Sequence, residues 1–187
     1  MSSIVGFIYN SKVYIGADSA GSDVSNNSIR DMPNQKIFTN GELLFGVAGS
    51  IRVGQILRYG FTPPIHPEEI SDKQYICSTL VRSIMESLLE NNYKIDGNED
   101  VSFDGQLMIG YKSQLYVINS DFGILYDSQF DAIGCGSEYA MSSIYTSLEL
   151  SKQYNFEIKP ETIVQLALQA SAKYAIGVRG PFVIHTN

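Results

Sequence analysis

The sequence predicts an α+β fold in four layers, an αββα sandwich with two stacked sheets between helix layers, and two observations carry that expectation. Along the chain the segments come in blocks: strands, a helix pair, strands, a second helix pair and a last strand. The early strands are also apolar on both alternating faces, with Ile4, Val5, Phe7 and Ile8 followed by Val13, Tyr14 and Ile15. A strand of that kind needs cover on both faces. Two stacked sheets between helices supply it; a single sheet with helices on either side is the competing arrangement. With 187 residues, 44% of them hydrophobic, the chain can fill a substantial core, and one domain over residues 1–187 is expected.

The elements follow in order. Residues 2–9 read as a strand, Asn10-Ser11 as a turn, and Val13 to Ala17 as the returning strand that ends at Asp18. Residues 21–34 are rich in Ser, Asn and Asp and read as an exposed loop. Lys36 to Thr39 and Glu42 to Val47 flank Asn40-Gly41, the strongest two-residue hairpin signal, and Ala48-Gly49-Ser50 closes that strand. Ile51 to Tyr59 forms a short helix with Val53, Ile56 and Leu57 on one face, and Gly60 to Pro67 is loop. From Asp72 to about Asn91, Ile76, Leu80, Val81, Ile84, Met85, Leu88 and Leu89 recur at helical spacing as a core stripe. The polar stretch from Asn91 to Phe103 follows.

Residues 106–110, 114–119 and 130–133 are short β-like runs, with Asp121-Phe122-Gly123 as a turn. Residues 137–153 are amphipathic through Ala140, Ile144 and Leu148, and Ser137-Glu138 offers a capped, acidic first turn. Pro160 is at a tolerated first-turn position of a helix running to about Ala175. Gly177 to Gly180 breaks it, and Pro181 to Thr186 makes the final strand.

Charge and composition exclude several functions. Acidic residues outnumber basic ones 20 to 13, and no Lys/Arg cluster is present to neutralise phosphates, so neither nucleic acid nor an anionic membrane is an expected partner. No apolar run reaches bilayer length and the N-terminus lacks a secretory layout, so a soluble, cytoplasmic protein is expected. Cys77 and Cys135 read as two reduced thiols, and His66 and His185 stand alone, so no metal or cofactor is expected.

Ser2 carries the chemistry. Removal of Met1 leaves a hydroxyl and a free α-amine on one residue, so the nucleophile brings its own base. The first hairpin returns Asp18 beside the chain start. Taken in order, Ser2, the segment Ile15-Gly16-Ala17-Asp18-Ser19, Lys36, the strand Leu43 to Gly49 and the segment Gly134-Cys135-Gly136-Ser137 resemble the N-terminal nucleophile hydrolases, in particular proteasome β subunits and the peptidase HslV. The resemblance spans most of the chain. It implies the four-layer αββα sandwich, peptide hydrolysis without a cofactor, a peptide or unfolded-protein substrate and a homo-oligomeric ring. An ATPase unfoldase partner is compatible with it, though no motif here speaks for one.

By the same resemblance Ser2 falls at the nucleophile position, Asp18 at the acidic residue, Lys36 at the lysine, Gly49 at the oxyanion-hole glycine and Cys135 at a supporting serine. Asn34 is the alternative at the lysine position if the loop carries no shift. The chemistry suits these types. An α-amine titrates near pH 7.7–8.0, where a general base works well. A lysine ammonium beside it favours the neutral, proton-accepting amine, and Asp18 would hold that lysine. A glycine N–H can approach the oxygen that becomes negative.

The sequence departs from the pattern in four places. Ser2 lacks the methyl that restricts a threonine rotamer, and Cys135 is only a weak donor. Lys173 stands where the resemblance puts a second aspartate, and Ile176 where it puts another serine. A catalytically silent ring subunit is therefore the second reading, and a small-molecule amidase the third. Outside the resemblance, Ser2 reads as an ordinary small second residue, Asp18–Lys36 as a structural ion pair, and Gly46 and Gly49 as packing glycines.

Overall fold

The structure, a computed structural model, describes residues 1–23, 28–32, 36–93 and 102–187. In chain order its elements are β1 (Ile4–Tyr9), β2 (Lys12–Ala17), β3 (Ala20–Asp23), β4 (Ser28–Asp31), β5 (Ile37–Asn40), β6 (Leu43–Gly49), α1 (Ile51–Tyr59) and α2 (Asp72–Gln74). A π-helical segment (Tyr75–Leu80) links α2 to α3 (Val81–Glu90). Then come β7 (Gly105–Tyr111), β8 (Gln114–Ile118), β9 (Ile124–Leu125), β10 (Phe130–Ile133), α4 (Ser137–Tyr154), α5 (Pro160–Tyr174) and β11 (Val183–Thr186).

Two antiparallel sheets stack face to face. One has the order β10-β1-β2-β11 and the other β5-β6-β7-β8-β9. Between them lies an apolar layer of Ile4, Val13, Ile15, Leu44, Met108 and Val117. Outside the first sheet, Val5 and Phe7 meet Ile144 of α4 and Val164 and Leu168 of α5. Outside the second, Phe45 and Ile109 meet Val53 and Leu57 of α1 and Ile84 of α3. Hence the strands are apolar on both faces: each sheet buries one face on the other sheet and one on helices. The four-layer arrangement is the one adopted, and the single sheet is not.

Each hairpin follows from its turn. The β1–β2 loop has positive φ at both central residues, 48° at Asn10 and 62° at Ser11, the type I′ pattern that matches strand twist. In the β5–β6 loop Asn40 pairs with Leu43, which leaves Gly41 and Glu42 in the centre. Only Gly41 has positive φ, 60°, so this is the II′ pattern and the Asn-Gly signal sits one residue earlier than a type I′ turn needs.

Four expectations are revised. Residues 20–23 and 28–31 pair as a two-stranded hairpin where a loop was expected; Ile29, Arg30 and Asp31 of β4 are exposed, so that strand has no buried apolar face to signal it. The helix from Asp72 is interrupted by π-helical geometry, which rotates the apolar stripe so that Leu89 is exposed while Ile76, Leu80, Ile84 and Leu88 are buried. Helix α4 begins after Gly136, so Ser137 lies inside the first turn and no side chain caps it. Strand β9, too short to leave a periodic signal, extends the second sheet. Most of the polar stretch after Tyr93, and Asn34, lie outside the described residues.

Candidate active site

The site forms where β1 and β2 leave the first sheet beside the end of β6. Antiparallel pairing of Ile4 with Ala17 brings Ser3 opposite Asp18, and the two residues bond in both directions. The Ser3 N–H donates to Asp18 Oδ1 at 2.9 Å, and the Asp18 N–H to the Ser3 carbonyl at 3.2 Å. Asp18 Oδ2 accepts from the Ala20 N–H at 3.1 Å. The carboxylate is thus buried with backbone donors on both oxygens, as a buried charge requires.

Lys36, just before β5, reaches the same carboxylate. Its Nζ lies 2.6 Å from Asp18 Oδ1 and 3.3 Å from the Met1 carbonyl oxygen. Burial pushes the Lys36 ammonium down from its ordinary value, and the attraction of Asp18 only partly offsets this. Because the Met1 carbonyl and the Ser2 nitrogen share one peptide group, that nitrogen lies within about 5.5 Å of Nζ, given the 3.3 Å contact. Ser2, Lys36, Gly49 and Met32 line a single cleft with Val47 and Gly54.

Gly49 ends β6 with φ 114°, and a Cβ there would lie 2.5 Å from the Asp104 carbonyl oxygen, so no other residue fits this backbone unstrained. On the opposite side, the Ser2 carbonyl accepts from the Gly136 N–H at 3.2 Å and from Cys135 Sγ at 3.4 Å. Five expected residues, Ser2, Asp18, Lys36, Gly49 and Cys135, therefore converge on the chain start. Lys173 and Ile176 are exposed, the latter 82%, and of the two only the Ile176 backbone approaches, its carbonyl lying 3.8 Å from Cys135 Sγ.

Two buried hydroxyls make contacts that the sequence did not point to: Ser3, which as a nucleophile would need a second cleavage and ranks below Ser2, and Ser171. Ser3 Oγ donates to Ser171 Oγ at 2.9 Å, and Ser171 donates to the Gly136 carbonyl at 2.8 Å, with the Ala167 carbonyl at 3.1 Å. The available signal was a serine one turn after Ala167 on the buried face of α5, where Ile163, Val164, Ala167 and Leu168 precede it. His66, expected to stand alone, is half-buried between Tyr111 and the Ile70 carbonyl and stacks on Tyr75, away from this cleft's lining.

No family model matches the chain, and no curated protein matches it. Solved structures do. Thiobacillus denitrificans BPH in complex with epoxomicin superposes with a TM-score of 0.80 at 18% identity, over 99% of this chain and 97% of that one. A second structure of Thiobacillus denitrificans BPH gives 0.80 at 17% identity over the same shares. Eukaryotic HslV from Trypanosoma brucei gives 0.68 at 13% identity, over 98% of each chain. This chain has the HslV- and proteasome-like fold. Near-complete coverage in both directions means that the proteasome-like fold accounts for both sheets and both helix layers. The cleft at the start of β1 is bordered by the segment where β6 passes into α1.

Among the described residues, no group of three or more His, Cys, Asp or Glu side chains is arranged to hold a metal ion, and no helix is long and apolar enough to cross a membrane.

Proposed function

We propose that the protein is a peptide hydrolase of the proteasome type, acting through Ser2 once Met1 has been removed. The observation that carries the reading is the buried Lys36–Asp18 pair at 2.6 Å, whose ammonium also faces the Met1 carbonyl and so lies beside the position of the future α-amine. The Ser2 amine takes the hydroxyl proton as Oγ attacks the substrate carbonyl carbon. The oxygen that becomes negative is met by the Gly49 N–H. Collapse breaks the C–N bond, the ammonium returns its proton to the departing amine, and water then hydrolyses the ester with the same amine as base. Lys36, with its proton loosened by burial, keeps the amine neutral and can pass a proton within the site.

The epoxomicin complex of Thiobacillus denitrificans BPH supports the choice of probe. Protein lacking Met1 is incubated with epoxomicin and mapped by mass spectrometry; an adduct on Ser2 is expected. Absence of an adduct, with a proteasome control reacting, would favour the second reading, a catalytically silent ring subunit. The exposed positions of Lys173 and Ile176 speak for that second reading. Assembly into a homo-oligomeric ring belongs to the proposal in either case.

A further inference from the structure

Resting on the proposed role of Ser2, we infer that Ser171 and Ser3 form a buried hydroxyl clamp that positions the Ser2 backbone, replacing the support that Lys173 and Ile176 do not give. Three observations converge on it. Both hydroxyls are in fully buried residues, so their hydrogen bonds are made without competition from water. The bonds run in one direction, from Ser3 Oγ to Ser171 Oγ at 2.9 Å and from Ser171 Oγ to the Gly136 carbonyl at 2.8 Å. Gly136 closes the circuit, because its N–H donates to the Ser2 carbonyl at 3.2 Å.

The fit is close. A Cβ at Gly136 would lie 2.7 Å from Ser3 Cβ and 2.8 Å from Ser171 Cβ, so the loop before α4 rests directly on both serines. Ser2 is thereby held from two sides: through its carbonyl by Gly136, and through the next residue, whose N–H is held by Asp18 at 2.9 Å. This matters for a serine nucleophile in particular. Without a β-methyl its χ1 is less restricted, so the placement of Oγ depends more on how well its backbone is fixed. Ser171 touches neither substrate nor the reacting atoms in this scheme; it is a positioning residue acting through Gly136 and Ser3.

The test uses full-length protein after Met1 removal, as wild type and as Ser171→Ala, Ser3→Ala, the double variant and Ser171→Cys, which keeps a weak donor. Two quantities are read: the rate constant for epoxomicin addition to Ser2 at saturating probe, and hydrogen exchange at the Ser3 and Gly136 amides. Ser171→Ala is expected to slow addition about tenfold and to speed exchange by a similar factor, while half-saturation by the probe stays unchanged. Ser171→Cys should recover part of the rate, and the double variant should be no slower than the worse single one, since both break one circuit. Wild-type rate and exchange in Ser171→Ala would overturn the clamp and leave the proposed function standing. An inert wild type whose Ser3 and Gly136 amides still loosen in Ser171→Ala would instead remove the catalytic reading and with it the purpose of the clamp.

Discussion

Lys36 and Asp18 show burial and charge acting against each other on a single pair. Taking an ammonium out of water is costly, and its attraction to Asp18 at 2.6 Å returns only part of that cost. Removing one partner strands the other, so Lys36→Met and Asp18→Asn should each destabilise by roughly 3–5 kcal/mol, while the double variant recovers much of the loss. Urea unfolding of the four proteins measures this. The pH dependence has a definite sign. Between the lowered folded value of Lys36 and its ordinary 10.5, the unfolded chain holds a proton that the folded chain has released, so wild-type stability rises with pH relative to the double variant. The comparison between the two cancels an opposite trend from Tyr75 and Tyr116. Burial pushes both up to about 12, so folding loses stability as pH climbs from about 10. Gly49→Ala should abolish Ser2 acylation and destabilise, because its Cβ would meet the Asp104 carbonyl oxygen at 2.5 Å on a backbone with φ 114°. Unfolding midpoints and adduct yield, measured together, read both effects.

At the scale of elements, the first hairpin decides how well the site is built, since its register sets Ser3 against Asp18. Ser11 occupies a left-handed position, φ 62°, at the second centre of a type I′ turn, where glycine is favoured. Ser11→Gly is therefore expected to stabilise the protein by roughly 0.5–1 kcal/mol, seen as a higher urea midpoint with unchanged slope. This hairpin was legible because turn and strand signals are local. So were α1 and α5, whose observed bounds match the expected ones almost residue for residue. The β3–β4 hairpin was not legible, because its polar strands carry no apolar alternation to read. Nor was the π-helical segment, which keeps the helical periodicity on either side and shifts only the phase between them. The expected Ser137 cap failed because Gly136 holds the position before the helix, which leaves Ser137 inside the first turn.

At the scale of the molecule, the two sheets approach closely because small residues line part of their interface. A Cβ at Gly46 would lie 2.7 Å from Ile4 Cγ2, a rigid methyl in a fully buried residue. Gly46→Ala is accordingly expected to cost about 1–3 kcal/mol in urea unfolding, by forcing the sheets apart beside the start of β1. The proposed ring is a separate expectation. Light scattering coupled to size exclusion should give a mass several times the 20.7 kDa of one chain.

By itself the sequence determined the alternation of strands and helices, the two-sided burial of the early strands and the presence of a serine, an acid, a lysine and glycines in an order that resembles one family. Those properties are local or one-dimensional, and periodicity records them. Only the tertiary structure decided that Lys36 reaches Asp18, that Cys135 and Gly136 close over the Ser2 carbonyl, and that Ser171 rather than residue 173 or 176 turns inward. Each joins segments far apart in sequence, and which distant side chains meet is set by how the layers pack, to within an ångström that no local pattern encodes.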